Sequence, residues 1–201
     1  MKYLFTSDLH LFHPNIIRYC GRPFPDVQKM KDTIIRNWNT HVKDEDTVFH
    51  VGDFFLAKSS EAPDSVRHFQ DVRKLLKGNI IFIQGNHDHN IKNQAIIRNC
   101  TIRYGGISLF LVHNPEYANQ NVAVNLVGHV HEKWTVKILN EHSIAINVGV
   151  DVWDFKPVVI DSITNLYNSF RNGNLKVGKF HHPHLTGKVG LCVGYNKDEI
   201  C

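Results

Sequence analysis

The chain has 201 residues, a length that suits one domain or one domain with an appendage. Hydrophobic residues make up 42% of the sequence and charged residues 21%, which are ordinary values for a globular protein with a substantial core. The formal net charge of +4 and the lack of a dense Lys/Arg run argue against a protein that coats nucleic acid. A phosphate-bearing partner remains compatible with this mild positive charge.

No apolar stretch approaches the ~18 residues that a membrane-spanning helix needs, and the N-terminal MKYLFTSDLH has too short an apolar run for a signal peptide. The four cysteines are scattered and form no C-x-x-C motif, which predicts a reduced, cytoplasmic protein without a membrane partner. A disulfide between Cys192 and Cys201 is the alternative. Histidine is the unusual residue type, with 14 copies against 19 acidic residues.

The first half of the chain predicts alternating strands and helices. Asp26 is predicted to cap one helix, and Pro63 to open a second one that Gly78 ends. A further helix is predicted over residues 91–99. Apolar residues recur at helical spacing in the first two helices, as Val27, Met30, Ile34 and Trp38 and as Val66, Phe69, Val72 and Leu76. Strands are predicted over residues 1–7, 47–51 and 79–83.

The second half predicts mostly strands. Gly105-Gly106 indicates a hairpin between the first two of them, and Asp161 is predicted to cap a last helix. These strands are predicted over residues 102–104, 107–112, 122–127, 135–139, 144–148 and 158–160. The whole pattern predicts two sheets packed face to face with helices covering the outside. We expect residues 1–170 to form one domain and residues 171–201 to be a C-terminal extension.

Polar clusters follow five of the predicted strands. In α/β proteins ligands bind outside the carboxyl ends of strands, so the clusters are expected to converge on one crevice. The D-x-H and H-x-H pairs have a period of two, which directs both side chains of a pair to the same side of an extended backbone. The clusters are Asp8-Leu9-His10, Gly52-Asp53, Gly85-Asn86-His87-Asp88, His113 and Gly128-His129-Val130-His131.

These clusters offer seven nitrogen or oxygen ligands and no thiolate, which suits two divalent ions that share one carboxylate. Two such ions lower the pKa of a bridging water and stabilise both oxygens of an in-line phosphoryl displacement. His87 is not needed as a ligand and is predicted to protonate the leaving alkoxide, with Asp88 holding its imidazole. The predicted ligands are Asp8, His10, Asp53, Asn86, His113, His129 and His131.

The order of these motifs over roughly residues 1 to 160 resembles that of the calcineurin-like metallophosphoesterases. The motifs are D-L-H, G-D, G-N-H-D, a single His after an apolar strand, and G-H-V-H. The resemblance implies an α/β, four-layer sandwich of two mixed β-sheets flanked by helices. It also implies a binuclear centre of Mn, Fe, Ni or Zn in which Asp53 bridges the ions. By motif match, the other ligands are Asp8, His10 and His131 for one ion, and Asn86, His113 and His129 for the other.

The chain departs from the phosphoprotein phosphatases of this superfamily in two motifs. It has Gly-Asp-Phe-Phe-Leu-Ala-Lys where they have G-D-x-x-D-R-G, and G-N-H-D where they have G-N-H-E. The arginine that would bind a phosphomonoester is missing, and the chain is more similar to small, cap-less bacterial or viral phosphoesterases. Phosphodiesters and cyclic nucleotides are common among the known substrates of those enzymes.

The expected function is therefore hydrolysis of a phosphodiester, a small nucleotide or cyclic nucleotide, by attack of a metal-bridging hydroxide. A phosphomonoesterase is the alternative within the same class. A catalytically silent scaffold of the same fold is a third reading, and the complete ligand set argues against it. The modest charge argues against a nuclease that acts on long polymers, so no stable nucleic-acid complex is expected.

Four further residues are candidate substrate contacts. His13 and His89 lie close to the ligand motifs, and loop-exposed histidines without a role are the alternative. Arg18 and Arg22 follow the first motif and are predicted to neutralise a second phosphate, with ordinary surface arginines as the alternative. His50, in the middle of a strand, is predicted to be a core residue or to orient a ligand.

Overall fold

A mixed sheet of five strands contains the first three predicted strands of the chain. The computed structural model describes residues 1–54, 62–88 and 96–175. Strands β1 to β4 of this first sheet are parallel, and β10 joins β1 from the other side in antiparallel orientation. The bounds of its strands are Tyr3–Thr6 (β1), Thr47–Val51 (β2), Asn79–Ile83 (β3), Ile96–Ile97 (β4) and Val158–Val159 (β10).

Three helices pack on the outer face of the first sheet: α1 (Pro14–Tyr19), α2 (Val27–His41) and α3 (Ala62–Leu75). The predicted cap of α2 is confirmed, because the Asp26 carboxylate accepts a hydrogen bond from the amide of Lys29. Trp38 of α2 is fully buried in this core. Burial of a large apolar side chain contributes about 1.5–3 kcal/mol, so the apolar stripe of α2 fixes the helix on the sheet.

The second sheet also has five strands, in the order β5-β6-β7-β9-β8. The predicted hairpin is confirmed, with Gly105 and Gly106 at φ angles of 54° and 81°, which a tight hairpin turn requires. β6, β7 and β9 are parallel neighbours. The bounds are Asn99–Tyr104 (β5), Ile107–Val112 (β6), Val124–Val127 (β7), Val136–Ile138 (β8) and Ile144–Asn147 (β9).

The two sheets pack face to face over an apolar core. Alternate residues of each strand point into it because side chains in a strand have a period of two. The last helix, α4 (Ile160–Arg171), adds Ile163 and Tyr167 to the same core. Its members from the strands include Phe5, Phe49, Ile83, Leu109, Leu111, Val124, Leu126, Ile144 and Ile146. The predicted fold class, α/β with two mixed sheets, is confirmed.

Three details differ from the prediction. The prediction of a helix over residues 91–99 is wrong at residues 96–99, the part that the structure describes. Ile96 pairs with Phe82 in strand β4, and β5 already begins at Asn99. β-Branched residues beside an open sheet edge favour pairing over a helix. Helix α1 was not anticipated. Asp161 lies in the first turn of α4 and makes no side-chain cap.

Several predictions fall outside the described residues. Residues 91–95 of the expected helix belong to this group, as do His89, the Cys192–Cys201 pair and the extension beyond residue 175. Among the described helices, none is both long and apolar enough to cross a membrane.

Candidate metal centre

Turns that leave the carboxyl ends of strands in both sheets meet at one edge of the molecule. The amide of Asp8, after β1, donates to the carbonyl of Gly52, after β2, at 2.9 Å. The amide of Gly128, after β7, donates to the carbonyl of His113, after β6, at 2.9 Å. The amide of His129 donates to the Asp8 carboxylate at 3.0 Å, which joins the two sheets. The predicted convergence of the ligand motifs is thus observed.

The backbone of these turns lies in the left-handed region at five of the seven predicted ligands. The φ angles are 58° at Asp8, 49° at His10, 58° at Asp53, 71° at His129 and 49° at His131. A residue with a Cβ atom pays about 1–2 kcal/mol for this conformation. Strained residues of this kind cluster at functional sites, where surrounding contacts hold them.

Two glycines allow the turns to approach each other closely. A Cβ atom on Gly85 would collide with both the carboxylate and the amide of Asp53. A Cβ atom on Gly128 would lie 2.5 Å from Asp8 Oδ2 and 2.5 Å from Ser7 Oγ. The glycines of the G-N-H-D and G-H-V-H motifs are therefore required by contact with the two ligand carboxylates.

Asp8, His10 and His131 form the first ligand group, with ligand atoms within 4.8 Å of one another. His10 Nε2 lies 3.8 Å from Asp8 Oδ1 and 3.4 Å from Asp53 Oδ2. His131 Nε2 lies 4.0 Å from Asp8 Oδ1. Two atoms that each lie about 2.1 Å from one ion are about 3–4 Å apart. The spacing of the first group therefore fits one divalent cation.

The second ligand group consists of Asn86, His113 and His129, and Asp53 faces it as well. His113 Nε2 lies 3.4 Å from Asp53 Oδ2 and 3.1 Å from Asn86 Oδ1. His129 Nδ1 lies 2.9 Å from Asn86 Oδ1. His113 Nδ1 contacts the carbonyl of Val51 at 2.8 Å, and a carbonyl only accepts, so in the neutral ring the proton is on Nδ1. The Nε2 lone pair then faces two acceptor oxygens, an arrangement that calls for a cation.

The electrostatics of both groups support the same interpretation. His10 is 1% exposed, neither of its ring nitrogens has a hydrogen-bond partner, and burial lowers its pKa well below the usual range. An unpaired buried polar group costs about 1–3 kcal/mol, which a bound cation would offset. Burial alone would lower the pKa of His113, but Asp53 and Asp8 raise it to about 9. A proton on His113 thus offsets the negative charge of Asp53 and Asp8, as a bound cation would. The donor set of imidazole, carboxylate and amide oxygen suits divalent transition metals.

His87, the predicted acid, lies at the open side of the centre. Its side chain is 38% exposed, and its Nε2 lies 3.9 Å from Asp53 Oδ2. The amide of His87 donates to Asp53 Oδ1 at 2.9 Å, which fixes the residue beside the shared carboxylate. Its ring is 5.4 Å from that of His10. His87 is therefore accessible both to solvent and to a molecule held at Asp53.

The predicted role of Asp88 needs correction. Its carboxylate is buried and accepts hydrogen bonds from the amides of Asp53 at 2.8 Å, Gly85 at 2.8 Å and Phe54 at 3.0 Å. Both oxygens are used by the backbone, so Asp88 does not hold the imidazole of His87. It holds together the two turns that carry Asp53 and Asn86. Burial and the charge of Asp53 raise the pKa of Asp88 to about 6.

Arg22 does not face a substrate, contrary to the prediction. Its guanidinium is buried and donates to Asp151 Oδ1 at 2.7 Å, Asp151 Oδ2 at 2.9 Å, the Asp8 carbonyl at 2.7 Å and the Leu9 carbonyl at 3.0 Å. Sequence reasoning missed Asp151, whose Oδ2 lies 3.2 Å from His131 Nδ1. One signal was available: Asp151 follows a strand and a glycine, as several of the ligands do.

The remaining candidates lie around α1. The ring of His13 is 5.8 Å from that of His10 and 6.1 Å from that of Tyr19, which is 62% exposed. The guanidinium of Arg18 lies over the Tyr19 ring at 5.5 Å. His13 is thus next to the first ligand group, and Arg18 lies beside Tyr19. His50 is fully buried among aromatic rings, which confirms its predicted place in the core.

Three known proteins illustrate what this chain is similar to. An uncharacterized protein of Methanocaldococcus jannaschii is 36% identical over 169 residues, which cover 82% of this chain and 90% of that protein. A crystal structure of a protein of unknown function from Aquifex aeolicus superimposes with a TM-score of 0.63 at 24% identity, over 82% of this chain and 98% of that one. The phosphoesterase Yfce of E. coli gives a TM-score of 0.40 at 20% identity, over 73% and 78% of the two chains.

The profile of the calcineurin-like phosphoesterase superfamily domain matches residues 1–153. This range contains every ligand motif of the two groups, and Asp151 as well. The family is metal-dependent and its phosphoesterases are hydrolases, a chemistry that the clustered imidazoles and carboxylates suit. With the profile match spanning the site, the chain belongs to the calcineurin-like phosphoesterase superfamily.

Proposed function

We propose that the protein is a binuclear metal-dependent phosphodiesterase. The observation that carries the proposal is the position of Asp53 Oδ2, which lies 3.4 Å from Nε2 of His10 and 3.4 Å from Nε2 of His113. These histidines belong to the first and second ligand groups. A single carboxylate oxygen placed between two sets of ligands is what a pair of ions requires.

The ions would be Mn, Fe, Ni or Zn, since the ligands are nitrogen and oxygen atoms without a thiolate. When bound, the two ions lower the pKa of a water molecule between them and neutralise charge on the phosphoryl group. The residues that would hold them are Asp8, His10, Asp53 and His131 for one ion, and Asp53, Asn86, His113 and His129 for the other.

His87 supplies the proton for the leaving oxygen. General acid catalysis needs a side chain within hydrogen-bond reach of that oxygen, and His87 projects from the same turn as the ligand Asn86. The hydrogen bond from its amide to Asp53 Oδ1 keeps the residue beside the carboxylate that the two ions would share. Asp88 acts indirectly, because it fixes the turns that carry His87 and Asp53.

The surroundings favour a diester over a monoester. A monoester dianion carries one more negative charge, which phosphatases neutralise with an additional cation near the metals. Among the described residues, Arg22 is buried and already bonded to Asp151, and Arg18 stacks on Tyr19. The donors of Arg22 are therefore used within the protein, behind the first ligand group. The rim formed by His13, Arg18 and the exposed ring of Tyr19 suits the base of a small nucleotide diester, which stacks on aromatic faces.

The test compares hydrolysis of bis-p-nitrophenyl phosphate with that of p-nitrophenyl phosphate. Protein stripped of metal and resupplied with Mn²⁺ should hydrolyse the diester faster. His129→Ala should lose the second ion, Asp53→Asn should lose both ions, and both variants should lose activity. His142→Ala is the matched control, because His142 is exposed and lies in the turn between β8 and β9, outside the ligand motifs. Faster turnover of the monoester would replace the proposal with a phosphomonoesterase. Bound metal without any turnover would favour a scaffold.

The acid role of His87 has a separate test. His87→Ala should retain both ions, which inductively coupled plasma mass spectrometry can count. It should slow diesters with alkyl leaving groups by about 10²–10⁴-fold. p-Nitrophenolate leaves without a proton and should be little affected. An equal loss of rate for every leaving group would show that His87 does not act as the acid.

A further inference from the structure

We propose that Arg22 and Asp151 are positioning residues for the first ligand group alone, so that they set the affinity of one of the two ions. The inference rests on the proposed function, since it requires two ions. Arg22 lies in the loop between α1 and α2, and Asp151 lies beyond β9, 129 residues away. Neither residue is among the predicted ligands.

The Arg22 guanidinium shapes the turn that carries two ligands of the first group. It donates to the carbonyls of Asp8 and Leu9 at 2.7 and 3.0 Å. Asp8 and His10 have left-handed backbone angles, so this turn needs contacts from outside to keep its form. The rigid fork of a guanidinium can bond two carbonyls and a carboxylate at once, which an ammonium group does not match in geometry.

Asp151 connects the Arg22 guanidinium to His131, the third ligand of the first group. Its Oδ2 lies 3.2 Å from His131 Nδ1 and 2.9 Å from Arg22 Nη2. The carboxylate accepts, so the proton of the neutral His131 ring is held on Nδ1 and the Nε2 lone pair is left for the ion. A carboxylate behind a metal-binding histidine fixes both the tautomer and the ring orientation, and losing it typically weakens metal binding by about 10–100-fold.

The second ligand group is held by different atoms. His113 Nδ1 contacts the carbonyl of Val51, and Asp88 holds the turn that carries Asn86. The hydrogen bonds of Arg22 and Asp151 described above reach Asp8, Leu9 and His131 and none of the ligands of the second group. Arg22 and Asp151 should therefore set the affinity of the first ion and leave the affinity of the second ion unchanged.

The experiment measures Mn²⁺ affinity by calorimetry in two backgrounds that each retain one ion. His129→Ala leaves the first ion, and His10→Ala leaves the second. Adding Asp151→Asn should weaken Mn²⁺ binding by about 10–100-fold in the His129→Ala background and by less than about threefold in the His10→Ala background. Arg22→Lys, which keeps the charge, should show the same selectivity. Arg73→Lys is the matched control, because Arg73 also bonds two backbone carbonyls, at the opposite end of the sheet.

Two spectroscopic readouts complement the calorimetry. Low-temperature electron paramagnetic resonance should show an exchange-coupled Mn²⁺ pair, which Asp151→Asn converts into a single uncoupled ion at limiting metal. Long-range ¹H–¹⁵N NMR of the Zn²⁺-loaded protein should show His131 protonated at Nδ1. This measurement needs no variant, so it tests the expected tautomer of His131 even if the substituted proteins fail to fold.

The results distinguish a failure of this inference from a failure of the proposed function. A wild-type protein that binds fewer than two ions refutes the proposed function itself. Two ions in the wild type, with equal or no losses in both backgrounds, refute the positioning role and leave the phosphodiesterase intact. Protonation of His131 at Nε2 would refute the role as well.

Discussion

Asp88→Asn tests whether this residue holds the metal-bearing turns or serves His87. The carboxylate accepts three backbone amides, from Asp53, Phe54 and Gly85. An asparagine can keep its oxygen where two of these amides meet, but its NH₂ group then faces the third amide. The substitution thus removes one charged hydrogen bond and weakens two others.

The magnitude follows from two opposing effects. The third amide and the NH₂ group that faces it would be two buried donors without an acceptor, which cost about 2 kcal/mol each and about 4 kcal/mol together. In the metal-free protein, burial and the charge of Asp53 raise the Asp88 pKa to about 6, and removing that charge returns about 3 kcal/mol. The net loss of unfolding free energy is therefore only about 1 kcal/mol. A bound cation cancels the repulsion from Asp53, so the metal-bound protein should lose more, and metal affinity should fall by about 10–100-fold.

Urea denaturation of the metal-free protein and Mn²⁺ calorimetry measure the two quantities. Asp46→Asn is the control, because the buried Asp46 carboxylate also accepts two backbone amides, from Lys2 and Lys43, but lies at the amino end of β2. It should lower stability and leave metal affinity unchanged. If Asp88→Asn kept normal Mn²⁺ affinity and instead slowed only diesters with poor leaving groups, the assignment would be refuted. Asp88 would then be the partner of His87.

Three further perturbations test other parts of the structure. Gly85→Ala should remove both ions, because the added methyl group collides with the shared carboxylate, whereas Gly105→Ala, at a turn where a Cβ atom meets nothing within 4 Å, should keep both by metal analysis. His113 has a pKa of about 9 in the metal-free protein, so it carries a proton at neutral pH that must leave before a cation binds. The affinity of the second ion should fall about tenfold per pH unit below 9, and pH-independent binding in calorimetry would contradict this. Trp38→Phe removes a 3.0 Å hydrogen bond and part of a fully buried ring, which should cost about 1–3 kcal/mol in urea denaturation with metal binding unchanged.

The elements that the sequence predicted well are those whose signal is local. β2 and β3 have the predicted bounds, and Asp26 caps α2 as expected, because apolar runs and capping residues act within a few positions. The helix expected over residues 91–99 failed at Ile96–Ile97, because a neighbouring strand edge outweighed a weak periodicity.

The ligand motifs could also be identified from the sequence, since each follows its strand directly. The contacts that support the ligands could not be predicted in this way. Arg22 and Asp151 are separated by 129 residues, and Asp88 bonds to the amide of Asp53, 35 residues away. Adjacency in sequence suggested that Asp88 serves its neighbour His87, but the turn directs the carboxylate to the backbone of another loop. Pairings of this kind depend on the assembled fold.

The left-handed ligands have a consequence for how this chain could evolve. Glycine tolerates a positive φ without steric penalty, so His10, His129 and His131 stand at positions where glycine would relax the backbone of the metal-free protein. Asp8 and Asp53 differ, because their carboxylates also accept hydrogen bonds from neighbouring amides. A descendant that no longer used metal could therefore gain stability by losing the three histidine side chains, in the usual trade between stability and activity. Mutations in these turns would then be favoured on folding grounds alone, and the ability to bind metal would decay faster than the fold.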